Sequence, residues 1–276
     1  MDRPLRFVLL CHQRSGSNAL GSLLGQTEGV RLYGQLFNGS REYARYHRAD
    51  LGLPPFRAHP RALRHFGPRP RLRHRWDALA RWGPTATDLS AHLGAFWDRF
   101  AQDGDRAVGF KLHDFQLTDA DLARLLAEHV DRVLLLHREN LLRAAVSWAV
   151  ALRTDVWVRN EPPGRPRPPL TLDPDEVAWF VSKTRREVAR WREMAAEAGT
   201  PTLELTYERD VAPRRLGPIS DFLRLGAEAG TPGAATPDFE TQRLAAPGYA
   251  HVANARELDA ALGSDETGWL FDPEAA

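Results

Sequence analysis

The residues Arg14-Ser-Gly-Ser-Asn18 stand between an apolar run, Phe7-Val-Leu-Leu-Cys11, and the helix-like Ala-Leu-Gly-Ser-Leu-Leu24. Their types suit oxyanion binding. Arginine offers a planar fork for bidentate contact, Ser15, Ser17 and Asn18 add donors, and Gly16 permits close backbone approach. A strand, a tight polar turn and a helix start also aim backbone N–H groups and the positive helix end at one point. The stretch is not G-x-x-x-x-G-K-[ST], because it lacks the lysine of an ordinary nucleoside-triphosphate loop. Its plain structural reading is a polar strand-to-helix turn capped by Ser17.

A second feature has the same chemistry. Leu134-Leu-Leu-His-Arg138 ends an apolar run in arginine, and Ser147 lies nine positions further on, along the next helix. Taken singly, Arg138 would pair with a nearby acid and Ser147 would be an ordinary helix residue. Taken with the first turn, on two strand–helix units, they point to a ligand with two anionic ends. No His, Cys and Asp set has metal-ligand spacing, so no metal is expected.

These residues need a scaffold, and the periodicity supplies one. Phe7–Cys11, Val108–Leu112, Arg132–His137 and Thr202–Tyr207 read as strands, and Val30–Phe37 as a further short strand or extended segment. Helices are predicted over Asn18–Leu24, Leu89–Gln102, Asp119–Glu128, Asn140–Arg153, Pro174–Gly199, Leu216–Leu225 and Ala255–Leu262, with Asn140 as a cap and Gly199 as a stop. Alternating strands and helices predict an α/β fold around a parallel sheet. The chain reads as one domain over residues 1–276, with a variable insertion near 43–89 and a proline-rich loop over Glu161–Pro174.

Composition narrows the classes. The 276 residues are 43% hydrophobic and carry a formal net charge of +1, which gives no case for a nucleic-acid partner. Of 37 lysines and arginines only Lys111 and Lys183 are lysine, so an arginine counts as evidence only where its position is special. For the basic stretch Arg57–Arg81 a solvated loop is therefore preferred over an acceptor-binding patch. The single cysteine, Cys11, excludes an intramolecular disulfide and reads as a small core residue. With neither a signal-peptide pattern nor an apolar stretch of the roughly 18 residues needed for a span, the chain reads as soluble and cytoplasmic.

The motifs resemble those of 3′-phosphoadenosine 5′-phosphosulfate (PAPS)-dependent sulfotransferases. Arg14-Ser-Gly-Ser is similar to that family's 5′-phosphosulfate loop, and Arg138 with Ser147, in Leu-His-Arg-Glu-Asn-Leu-Leu-Arg-Ala-Ala-Val-Ser-Trp148, to its 3′-phosphate site. Val108–Leu112, the long helix to Gly199, and Leu205-Thr-Tyr-Glu-Arg-Asp210 with Ile219–Leu225 continue the likeness. It leaves out roughly Tyr43–Leu89 and the tail. The bacterial carbohydrate branch, which includes trehalose 2-sulfotransferase and nodulation-factor sulfotransferases, is the most similar.

The resemblance implies a P-loop-NTPase-like three-layer sandwich, with a central parallel sheet flanked by helices. It implies PAPS as donor, PAP as product and a small-molecule hydroxyl, of a carbohydrate or glycolipid, as acceptor; a homodimer fits this branch. Arg14 would neutralise charge on the departing oxygen, with Ser15, Gly16 and Ser17 on the 5′-phosphate and Asn18 where the family often has threonine. Arg138 and Ser147 would bind the 3′-phosphate, joined by Arg243 from a late basic segment, and Lys111 would reach the sulfuryl group. Relatives often place a glutamate base where this chain has Gln35, in Tyr33-Gly-Gln-Leu-Phe37. Three readings stay open: His113 or Asp114 is the base, Gln35 only orients the acceptor, or the chain is an impaired or purely PAP-binding protein. A P-loop kinase would want a loop lysine and an aspartate for Mg²⁺, and a serine hydrolase would want G-x-S-x-G around Ser17; neither pattern is present.

Overall fold

The computed structural model describes residues 3–37, 89–101, 104–114, 116–154, 169–225, 249 and 251–271. The insertion expected at 43–89 (save Leu89), the stretch Arg57–Arg81, most of the loop Glu161–Pro174 and Arg243 lie outside them.

Five strands form one sheet: Leu5–Cys11 (β1), Val30–Gln35 (β2), Ala107–Leu112 (β3), Arg132–His137 (β4) and Thr202–Thr206 (β5). Their order is β2-β3-β1-β4-β5, and every pairing is parallel. The strands pair over register such as Leu9↔Lys111 and Leu9↔Leu134, which puts β1 at the centre. A central parallel strand is covered on both faces, so it must be apolar at every position rather than alternately. Phe7 through Cys11 are each 0% exposed.

The helices are Ser17–Gly25 (α1), Leu89–Phe100 (α2), Asp119–Arg124 (α3), Leu141–Thr154 (α4), Pro174–Glu197 (α5), Gly217–Phe222 (α6) and Ala255–Leu262 (α7). Alternate strand residues feed two cores. Phe7, Leu9, Cys11, Leu134 and Leu136 pack with Leu20, Leu24 and Ile219 of α1 and α6. Val8, Leu10, Phe110 and Leu135 pack with Phe96 and Trp97 of α2, Leu122 of α3 and Trp191 of α5. This is the expected three-layer α/β sandwich. A third cluster joins α4, the first half of α5 and α7 through Trp148, Phe180 and Leu258.

Several boundaries differ from the sequence reading. Val30–Phe37 is a true strand as far as Gln35, paired with β3 and irregular between Tyr33 and Gln35. The helix predicted over Asp119–Glu128 is α-helical only to Arg124, and a π turn, Leu125–His129, completes it. Thr200 Oγ1 donates to Leu126 O within that turn at 2.7 Å. The strand predicted to reach Tyr207 stops at Thr206, because Thr206 N donates to Asp210 Oδ2 (2.7 Å) and folds the chain into a π turn, Tyr207–Val211. Asn140 caps as expected: its Oδ1 accepts from Arg143 N at 2.9 Å. Pro174 opens α5 as the predicted helix start, where its missing N–H costs nothing, and the helix ends at Glu197, two residues before the predicted stop at Gly199.

Candidate functional site

The strand order locates the site. From β1 the chain crosses to β2 on one edge, whereas from β4 it crosses to β5 on the other. Connections that leave neighbouring strands in opposite directions open a crevice at their carboxyl ends. The turn after β1 carries Arg14-Ser-Gly-Ser, and the first residue after β4 is Arg138. Both predicted anion-binding elements therefore flank this crevice.

The β1 turn is shaped for close approach. Arg14 has φ +67° and Gly16 φ +92°, two left-handed residues in a three-residue span. Arg14 carries a Cβ, so its conformation is a local cost that the surrounding structure must hold. Gly16 is the N-cap of α1, and no side chain caps the helix. The reading of Ser17 as cap is corrected here: Ser17 is the first helical residue, and its neighbour in the left-handed region leaves it no capping geometry. Ser15 is fully buried, and its Oγ has no hydrogen-bond partner among the described residues.

Around this turn the structure gathers residues from distant segments. Arg14 Nε donates to Ser147 Oγ of α4 at 2.9 Å. Lys111 Nζ, at the end of β3, donates to Asn18 Oδ1 of α1 at 2.7 Å. Arg138 lies over the ring of Tyr207 at 4.3 Å, and its Nε is buried without a hydrogen-bond partner among the described residues. Arg14 and Ser147, assigned by resemblance to opposite ends of a ligand, thus touch one another. Burial, and then the nearby Arg138, lower the Arg14 guanidinium to about 10. Arg138 is also lowered, chiefly by burial. Two desolvated guanidiniums at one crevice repel each other, and an anion between them relieves both costs.

The proton-accepting candidates form a connected chain. Gln35 Oε1 accepts from Gln116 Nε2 (2.9 Å), and Gln116 Oε1 accepts from His113 N (2.9 Å). His113 Nδ1 stands 2.7 Å from Cys11 O. A carbonyl only accepts, so Nδ1 carries the hydrogen and Nε2 keeps the lone pair. Burial and Lys111 push the His113 imidazole down to about 4, so it is neutral at pH 7. Asp114 is ion-paired with Lys183 of α5, both side chains being buried. Burial pushes the Cys11 thiol up to about 11, which suits the packing role predicted for it.

Four participants were not singled out as site residues from sequence: His12, Gln116, Lys183 and Tyr207. His12 adjoins the turn, which is the one signal that pointed to it. Its Nδ1 donates to Gln13 O (2.8 Å), and burial lowers it to about 3. The neutral Nε2 is buried with no partner among the described residues. The two imidazoles set a pH dependence. Above the ordinary histidine value of 6.5 both folded and unfolded forms are neutral, so neither histidine contributes. Below 6.5 the unfolded chain takes up protons that folded His12 and His113 refuse until about 3 and about 4, so unfolding is favoured. The urea midpoint should fall as pH drops from 6.5 toward 4, with a shallower fall in His113→Asn. A flat profile over that window in the wild type would show the two rings to be protonated in the fold.

Among the described residues no group of three His, Cys, Asp or Glu side chains could hold a metal ion, and no helix is long and apolar enough to cross a membrane. No family model matches the chain, and no curated protein matches it. Solved structures do. The fold is similar to a sulfotransferase from Alicyclobacillus acidocaldarius at 14% identity and TM-score 0.43, over 96% of this chain and 93% of that one. It is also similar to the sulfotransferase domain of the Synechococcus PCC 7002 olefin synthase at 17% identity and TM-score 0.38, over 100% of this chain and 83% of that one.

Proposed function

We propose that the protein transfers a sulfuryl group from PAPS to the hydroxyl of a small acceptor, a carbohydrate or glycolipid by resemblance. The observation that carries this reading is the burial of Arg14 and Arg138 together at the crevice between β1 and β4, beside a helix start with no side-chain cap. That arrangement suits a ligand with phosphate at two places. Ser15, Gly16, Ser17 and Asn18 hold the 5′-phosphate end, and Arg138 with Ser147 holds the 3′-phosphate. Arg243 belongs to the same proposal on resemblance alone.

In the transfer, the bond from sulfur to the bridging oxygen of the 5′-phosphate breaks as the acceptor oxygen bonds to sulfur. PAP leaves with the electron pair, and the hydroxyl proton is released. Such a transition state is loose, so charge placement does most of the work. Arg14 stabilises the oxygen that PAP retains, and Lys111, held near by Asn18, faces the moving group. His113 is the proton acceptor, through Nε2. A base this far below neutral contributes little driving force, which matches a reaction needing little base help.

The test is selective protection. PAP at about 100 times its dissociation constant should add about 2.7 kcal/mol, a rise of roughly 5–10 °C in Tm, where ATP with Mg²⁺ gives far less. Equal protection by ATP would sink the two-phosphate reading. A second reading, a PAP-binding protein without turnover, is favoured by Gln35, whose amide oxygen is engaged by Gln116 where relatives offer a carboxylate. Turnover of labelled PAPS with a panel of sugars, glycolipids and phenols separates the two, and Gln35→Glu should raise the rate if the base is limiting.

A further inference from the structure

Tyr207 is the first residue after β5, 191 positions from Gly16 and 69 from Arg138, yet its ring meets both. A Cβ placed on Gly16 would stand 2.8 Å from Tyr207 Cε2 and closer still to Cδ2, so the ring occupies the space that only glycine leaves open. The Arg138 guanidinium lies over the same ring at 4.3 Å. Because Arg138 Nε has no hydrogen-bond partner among the described residues, the ring is the contact that orients this end of the guanidinium. The backbone that carries the ring is itself held. Tyr207 O accepts from Ala212 N (2.8 Å), Thr206 N donates to Asp210 Oδ2 (2.7 Å), and Thr206 Oγ1 donates to Glu139 Oε1 (3.1 Å) beside Arg138.

We infer that Tyr207 is a positioning residue whose ring sets the separation between the β1 turn and Arg138, and so selects ligands with two anionic groups over ligands with one. This rests on the two-phosphate reading above, and it adds a determinant that the arginines alone do not provide. Without the ring, Arg138 loses its support and Gly16 its neighbour, so either anion site persists but their spacing is no longer fixed. Any contact of the ring with a nucleoside common to two ligands cancels when their affinities are compared as a ratio.

The experiment measures dissociation constants for PAP and for adenosine 5′-monophosphate, which lacks the 3′-phosphate, in the wild type, Tyr207→Phe, Tyr207→Leu and Tyr207→Ala. The wild type should prefer PAP, Tyr207→Phe should keep that preference, and Tyr207→Leu and Tyr207→Ala should lose about tenfold of it. Tyr207→Leu keeps bulk against Gly16 while removing the π face, so it answers the question if the alanine variant does not fold. Thermal unfolding of each variant, measured without ligand, separates this loss from general destabilisation, since a purely structural ring would weaken both ligands alike. A preserved ratio in a folded Tyr207→Leu overturns the inference and leaves the two-phosphate reading standing. A wild type that binds both nucleotides equally overturns that reading itself, and the inference with it.

Discussion

Replacement of Arg14 by alanine is expected to lower the proposed sulfuryl transfer by about 10³-fold or more, measured as kcat with labelled PAPS at saturating donor. The side chain leaves β1 at the crevice, is largely desolvated, and is held by Ser147 Oγ at 2.9 Å, so it is oriented before the ligand arrives. A preorganised charge in a dry site costs no rearrangement at the moment of reaction. The folded protein should not suffer. Residue 14 has φ +67° with either side chain, and both carry a Cβ, so the local strain is unchanged. Removing one of two mutually repelling guanidiniums should leave the unfolding midpoint equal or higher, the usual relation between a functional site and stability. Arg138→Ala should behave differently, weakening PAP binding by about 10²-fold through loss of a charge-assisted contact, with a smaller change in kcat. Wild-type turnover in the Arg14 variant would refute its assignment.

The sequence was most informative where function and periodicity coincide. Phe7–Cys11 read as a buried strand followed by a polar turn, and with the alternation of strands and helices along the chain this gave the α/β class and placed the turn at a strand's carboxyl end. The boundaries that moved did so for side-chain reasons that no period encodes. Tyr207 left the strand because Asp210 captures Thr206 N, and the helix after Asp119 changes pitch near the carbonyl that Thr200 binds. The site residues that escaped notice are joined across long separations. Gln116 reaches Gln35 across 81 positions and ties it to His113, and nothing in a lone glutamine advertises this. His12, between the apolar run ending at Cys11 and the polar turn, carried no pattern of its own, although its ring nitrogen without a partner among the described residues marks it in three dimensions.

The contact between Arg14 and Ser147 also changes how the two ends relate. A serine hydroxyl can accept from Arg14 Nε while donating its own proton to a phosphate oxygen, so one residue serves both ends. In the proposed site, occupation of the 3′-phosphate position would then fix the group that orients Arg14 for the 5′ end. Discrimination by the remote phosphate would in this way be expressed at the proposed reacting centre, as binding energy of non-reacting groups must be if it is to accelerate a reaction.

Lys183→Met is expected to destabilise the fold by about 3–5 kcal/mol, a drop of roughly 6–20 °C in Tm. In a chain whose 37 basic residues include only two lysines, both lysines are buried at the carboxyl edge of the sheet, Lys111 on Asn18 and Lys183 on Asp114. Removing Lys183 takes the paired ammonium from a buried Asp114 carboxylate beside His12 and His113, whose neutral rings offer no countercharge at pH 7. Much of the cost is the buried charge deprived of its ammonium rather than the worth of the pair, so Lys183→Met with Asp114→Leu should recover most of the loss. The comparison also bears on the proton acceptor. Asp114, a candidate base by sequence, is tied to Lys183, and Asp114→Asn should therefore lower stability more than it lowers kcat per folded molecule, whereas His113→Asn should do the reverse. A double variant as damaged as Lys183→Met alone would locate the loss in other contacts of the lysine, such as its ammonium over the Trp179 ring at 6.0 Å, and not in the buried pair.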